Sequence, residues 1–198
     1  MAKKKIPLVK YATPAGKKLL ATIDAARQTR DNSVTEVVTE ILSAVKKQGD
    51  KALFEFSEKF DKVKLTPKSI RVSAEELKAA AQKASSELKE VIRETADRIR
   101  EYHKQQVRGG FSIKTNEGTL SQIITPLNRV ALYIPGGKTI YPSTVLMNAI
   151  PAQIAGVKEI VAVTPPRGEL DPGIAFALSL LGITEIYKMG GAQAIGAL

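Results

Sequence analysis

"RVALYIPGGKTIYPSTVLMNAI", residues 129–150, holds the transition on which the fold turns. Arg129 to Ile134 form an almost continuous apolar run with β-branched and aromatic members, the pattern of a strand covered on both faces. Pro135, Gly136 and Gly137 stop it. After a short loop, Pro142, Ser143 and Thr144 open a helix, where proline suits the first position because its missing N–H would have no partner there. The Gly-Lys-Thr at 137–139 imitates a phosphate-cradling loop. That motif needs a glycine five residues before its Gly-Lys pair and a helix beginning at the Lys-Thr. Leu132 occupies the earlier position and Pro142 delays the helix, so the match is accidental.

Downstream, the pattern alternates: a helix around Ser143 to Ala155, the strand "KEIVAV", a helix from Asp171 to Leu181, the strand "TEIYKM", and a further helix opening at "GGAQAIGAL". Strands alternating with helices of this length imply right-handed crossovers and a parallel sheet. Upstream, "NEG" between "FSIKT" and "TLSQIIT" predicts a hairpin turn. Before that the period is helical. Val34, Val37, Val38, Ile41, Leu42 and Val45 form one stripe, opened by Ser33 with Glu36 and stopped by Gly49. Leu53, Phe56 and Phe60 predict a shorter second helix. A third helical region starts at a Ser73–Glu76 capping box and continues with Leu88, Val91, Ile92, Thr95, Ile99 and Tyr102 facing inward. The fold class is therefore α/β, with an N-terminal helical layer (1–108) and a β-hairpin connection (109–128). These lead into a partial, incomplete Rossmann-like parallel sheet (129–198).

The chain has 198 residues, 43% of them hydrophobic, which is ample for a core. It contains no run long and apolar enough for a membrane span and no secretory signal pattern. With no cysteine it has neither disulfide framework nor thiolate metal site, in keeping with a reducing compartment, and the cytoplasm is the expected location. The net charge of +10 raises a nucleic-acid reading, but residues 129–198 hold five basic against four acidic side chains, so the excess lies upstream. There lysines alternate with glutamates along helices, as on a solvated face. No nucleic-acid motif, stacking platform or zinc finger accompanies the charge, and no nucleic-acid or membrane partner is expected. The alternative class is a non-catalytic basic helical and α/β module that binds nucleotide or nucleic acid.

Two glycine turns stand out, "YIPGG" at 133–137 and "YKMGG" at 187–191. Each follows a parallel strand, where backbone without side chains can approach a ligand and the next helix presents free N–H groups. Tight βα turns use glycine pairs for geometry alone, so both readings stand. Neither is a G-x-G-x-x-G dinucleotide fingerprint. Gln193 falls in the first turn of the final helix, free to bond a cofactor amide or ribose or simply exposed. Tyr133 could stack on a ring or be half-buried core. His103, the only histidine, lies four residues after Ile99 on the inner edge of a helix and reads as a core or boundary residue rather than a ligand.

"VALYIPGG", "YPSTVLMNAIPAQIAGVKEIVAVTPP" and "GGAQAIGAL", with "GDKALFEFSEKFDKV" upstream, resemble successive blocks of the histidinol dehydrogenase family. The resemblance covers essentially the whole chain. It implies a zinc-containing homodimer that takes L-histidinol through an aldehyde to L-histidine with two NAD reductions, in histidine biosynthesis. By the same resemblance Tyr133 and Gln193 match positions that contact NAD, and Pro135, Gly136 and Gly137 the adjoining loop. Family members are considerably longer. Their Gly-Pro-Gly-Asn segment, Glu-His acid/base pair and Gln, His and Asp zinc ligands lie beyond the match. The chain is therefore expected to be an N-terminal portion with no catalytic residue and no metal ligand of its own, inactive alone, and prone to self-associate through an unfinished sheet.

Overall fold

The computed structural model describes residues 8–28, 32–136, 141–166 and 168–198. The chain falls into two units, Met1–Glu40 and Ile41–Leu198. The first carries helix α1, Pro14–Gln28, and the opening turns of α2, Asn32–Gln48. Thr13 caps α1 by accepting the Gly16 N–H at 3.1 Å, with Pro14 next in line, so a Thr-Pro pair in the sequence marks the start of this helix. The expected Ser33 cap of α2 falls on a side chain outside the described residues. Gly49 stops α2 as anticipated, at φ +57.

The second unit continues with α3, Asp50–Phe56, whose last turn widens into a π-helix, Ser57–Asp61, ended by Lys62 in the left-handed region. The third helical region is two helices, α4 (Ala74–Gln82) and α5 (Ser86–Lys104). Ser73 accepts the Glu76 N–H at 3.1 Å, as the capping box predicts, while the Glu76 carboxylate turns away to Lys188 at 2.6 Å. Ser85, overlooked in the sequence, caps α5 through the Leu88 N–H at 3.1 Å and so marks the break. The inward stripe of α5 is Ile92, Ala96 and Ile99; Leu88, Val91 and Tyr102, expected inside, are exposed.

A hairpin of β1 (Phe111–Lys114) and β2 (Thr119–Gln122) precedes a parallel sheet. The sheet is built from β3 (Arg129–Tyr133), β4 (Glu159–Thr164) and β5 (Glu185–Lys188) in the order β3-β4-β5. Helices α6 (Pro142–Ala155) and α7 (Pro172–Leu180) make the crossovers, and α8 (Gly191–Ala197) follows β5. Side chains alternate between the two sheet faces. Leu132, Ala162 and Ile186 sit in register on one face and join α4 to α7 in the main core, with Ile92, Leu146, Ile174 and Leu178. Tyr133, Val163 and Tyr187 share the other face. There Leu53 of α3 and Ala194 of α8 pack on Val163 and Met189. The sheet is thus the α/β fold expected, and the helices of residues 74–104 share its core.

One detail departs from expectation. Only β4 is buried on both faces; β3 buries Leu132, as the chain buries Ile134 just after it, but leaves Ala131 exposed and Tyr133 36% exposed. The physical reason is position: β4 is central, whereas β3 is an edge strand whose second face no helix covers among the described residues. The outer side of β5 is closed by residues 70–72. Val72 N–H donates to the Ile186 carbonyl at 2.9 Å and Lys188 N–H to that of Ile70 at 2.6 Å.

Candidate functional site

The two glycine turns meet at the carboxyl end of the sheet, and one ring lies between them. A Cβ on Gly136 would come 3.0 Å from Pro165 Cδ, and one on Gly190 would come 2.9 Å from Pro165 Cγ. Gly190 has extended backbone, φ −138, so its need is space and not an unusual dihedral angle. Pro165 directly follows β4, so the glycines on either side let three strand ends converge on it. Close packing therefore accounts for Gly136 and Gly190. Gly137, with the Lys138 and Thr139 of the false phosphate loop, lies outside the described residues.

The structure brings Tyr133 and Gln193 together through Gly191. The Gly191 N–H donates to the Tyr133 hydroxyl at 3.0 Å, tying the end of β3 to the start of α8. Gln193 is not the exposed helix residue that its position suggested: only 1% of it is accessible. Its amide folds back against the same turn, and a Cβ on Gly191 would lie 2.5 Å from Gln193 Oε1. Gly191 itself has φ +65, in the left-handed region. On its other side the Gln193 amide reaches Asp61, with Nε2 3.5 Å from Oδ2. No spacing rule points to Asp61, which stands 132 residues away, and the sequence reading misses it.

A small cavity of about 110 Å³ opens at the same sheet end, lined among others by Gly136, Thr164, Pro165, Asp171 and Lys188. Thr164 and Lys188 alternate with Val163 and Tyr187, so this cavity belongs to the α6–α7 face and Tyr133 to the opposite one. It is well below the ~300–1,000 Å³ of pockets that hold drug-sized ligands. Asp171 is engaged as the α7 cap, accepting the Gly173 and Ile174 N–H groups at 2.9 and 3.0 Å.

At the amino end of the Tyr133 face, Arg129 crosses all three strands. Its guanidinium donates to Glu159 at 2.7 Å and to Glu185 at 2.6 and 3.1 Å, and the Tyr187 hydroxyl donates to Glu185 at 2.9 Å. The Arg129 hydrogen bond, then that of Tyr187, holds the Glu185 carboxyl below its usual value, and Glu185 in turn raises Tyr187. Arg129 rises in answer to Glu185 and Glu159. His103 is half-buried with Nδ1 2.6 Å from Gln106 Oε1 and its ring edge-on to Tyr102, a boundary residue held by its neighbours. Among the described residues, no three His, Cys, Asp or Glu side chains converge as a metal ion would require.

A protein-family profile described as histidinol dehydrogenase matches residues 25–198. Histidinol dehydrogenase of Geobacillus kaustophilus (strain HTA426) is 46% identical over 186 residues, covering 92% of this chain and 42% of that protein. The Caulobacter vibrioides enzyme of the same name is 48% identical over 167 residues, covering 83% of this chain and 39% of its own length. The crystal structure of histidinol dehydrogenase from Elizabethkingia anophelis superimposes with a TM-score of 0.76 at 40% identity, over 86% of this chain and 39% of that one. The chain spans about two fifths of the length of these relatives, an N-terminal portion. With its parallel sheet, its paired glycine turns and this match along most of its length, the chain belongs to the histidinol dehydrogenase family of oxidoreductases.

Proposed function

We propose that this chain is part of an NAD-dependent enzyme that oxidises L-histidinol through an aldehyde to L-histidine, and that its share is one wall of the cofactor site. NAD, when bound, accepts the hydride; the chain's own residues bind and orient it. The observation that carries this reading is the convergence of Tyr133 and Gln193 on Gly191 at the carboxyl end of a parallel sheet, where open α/β sheets take their ligands. The Tyr133 ring lies partly exposed on the uncovered portion of its sheet face, a surface on which a flat ring can stack. The domain scheme that goes with it is a helical region 1–108, a hairpin connection 109–128 and an α/β region 129–198. The location is cytoplasmic; no helix among the described residues is long and apolar enough to cross a membrane.

Zinc, which the family implies, does not fit the residues described: the only imidazole is bonded to Gln106, and among the described residues no three His, Asp or Glu side chains gather as a metal ion would require. We therefore assign zinc binding and proton transfer to parts of the family fold outside this match, and expect no turnover from the 198-residue chain. Its partner is a second copy of itself.

Calorimetric titration with NAD tests the cofactor assignment. Tyr133→Ala and Gln193→Ala should each weaken binding about tenfold, as loss of a stacked ring or a buried hydrogen bond does. Equal affinity in both variants and the parent sinks it. Formation of NADH by the purified chain on adding L-histidinol and zinc overturns the expectation of inactivity.

A further inference from the structure

Gln193 is almost fully buried, and a buried amide must find partners for both its ends. The two ends are alike in shape and opposite in chemistry, since the oxygen accepts hydrogen bonds and the nitrogen donates them. Which end faces which way is set by the neighbours. On one side stands Asp61, with Oδ2 3.5 Å from Nε2, at the outer limit of a hydrogen bond. An ionised carboxylate only accepts, so it discriminates between the two orientations of the amide in a way that a hydroxyl or another amide would not. The nitrogen must face Asp61, and the oxygen is thereby turned to Gly191, where only the absence of a Cβ makes room for it.

Asp61 is delivered to this place by an irregular element. It is the last residue of the π-helix that continues α3, and Lys62 in the left-handed region turns the chain away immediately afterwards. Upstream, α3 is fastened to the sheet through Leu53, which packs on Val163, Met189 and Ala194, so the π-helix starts from a fixed base beside α8. Two segments 132 residues apart are thus held in register at one amide.

We infer that Asp61 is a positioning residue that acts through Gln193: its carboxylate fixes the buried amide with the oxygen against the Gly190–Gly191 turn, and so sets the turn and the Tyr133 hydroxyl bonded to it where the ligand binds. This deepens the cofactor reading and rests on it for the identity of the ligand.

Two measurements separate the parts. In the 15N-labelled chain the Gln193 Nε2 proton pair, identified by its loss in Gln193→Ala, should be protected from exchange. Asp61→Asn, which can bond the amide in either orientation, should shift the pair and reduce its protection severalfold. An unmoved, equally protected pair overturns the inference. In the second measurement Asp61→Asn should weaken NAD at least fivefold while keeping the unfolding midpoint of the parent, and Asp61→Glu, which remains acceptor-only, should bind within twofold of it. A merely structural role for Asp61 predicts unchanged NAD affinity wherever the midpoint is kept, and that result also overturns the inference. If Asp61→Asn does not fold, failure of Asp61→Glu to retain both affinity and protection decides against it. If the parent chain does not bind NAD, the cofactor reading fails and the amide resonances alone judge Asp61.

Discussion

At Gly190 the chain has no room for a methyl group. The obstruction is the ring of Pro165, 2.9 Å from where a Cβ would stand, and a proline ring cannot rotate aside. Gly190→Ala should therefore destabilise the protein by about 1–3 kcal/mol, the usual cost of overpacking, measured by urea unfolding. An unchanged midpoint would show that the strand ends can spread without penalty. The contrast between Gln193 and Asp61 shows how much of the candidate site was legible at this scale. Resemblance pointed to Gln193, and helix periodicity put it in a first turn. Its burial depended on α3 lying against α8, a contact between distant segments that no local pattern records. Asp61 sits in "EKFDKV", a charged stretch that looks like any solvated turn.

Among the elements, the helices and strands from residue 111 onward were all legible, because each is bounded by Gly, Pro or a capping residue and has a clear period. The helical layer was legible in kind and less so in detail. A single helical region was drawn through α4 and α5 although Ser85 restarts the helix, and the apolar Leu88, Val91 and Tyr102 expected inside lie on the exposed side of α5. Hydrophobicity at helical spacing identifies a face only when the neighbouring helix is there to cover it. The Arg129 contacts across β3, β4 and β5 make an element-scale prediction about acid. Glu185 is lowered from its ordinary 4.5, chiefly by the Arg129 hydrogen bond, so its contribution to stability is fully present above 4.5. That contribution is lost as the pH falls through the lowered folded value. Arg129→Met should thus have a lower melting temperature than the parent at pH 7, and the gap should narrow as the pH falls below 4.5 and close once it passes the lowered folded value of Glu185. A gap independent of pH would assign the loss to packing. The pairs are exposed, so the effect should be a few degrees at most and shrink in salt.

For the whole molecule, the asymmetry of the sheet governs behaviour. Just past β3 the Ile134 N–H donates inward to the Val163 carbonyl at 2.8 Å, and alternation turns the N–H groups of Ala131 and Tyr133 outward, where no strand pairs with them among the described residues. Hydrogen exchange should accordingly show Ala131 and Tyr133 exchanging at least about tenfold faster than Leu132 and Ile134. Uniform protection along β3 would mean that its outer side is paired in solution. Light scattering should detect association that grows with concentration, and a monodisperse monomer at all concentrations would argue against an open edge of consequence.

The parallel order of the strands could be read from their spacing. The closing of β5 by residues 70–72 could not, since "SIRVS" is too short and too polar to register as a strand. That closure gives the sheet a direction of growth. With one border already covered by the chain's own backbone, the edge left open among the described residues of this sheet is that of β3, and a strand that docks there arrives beside Tyr133.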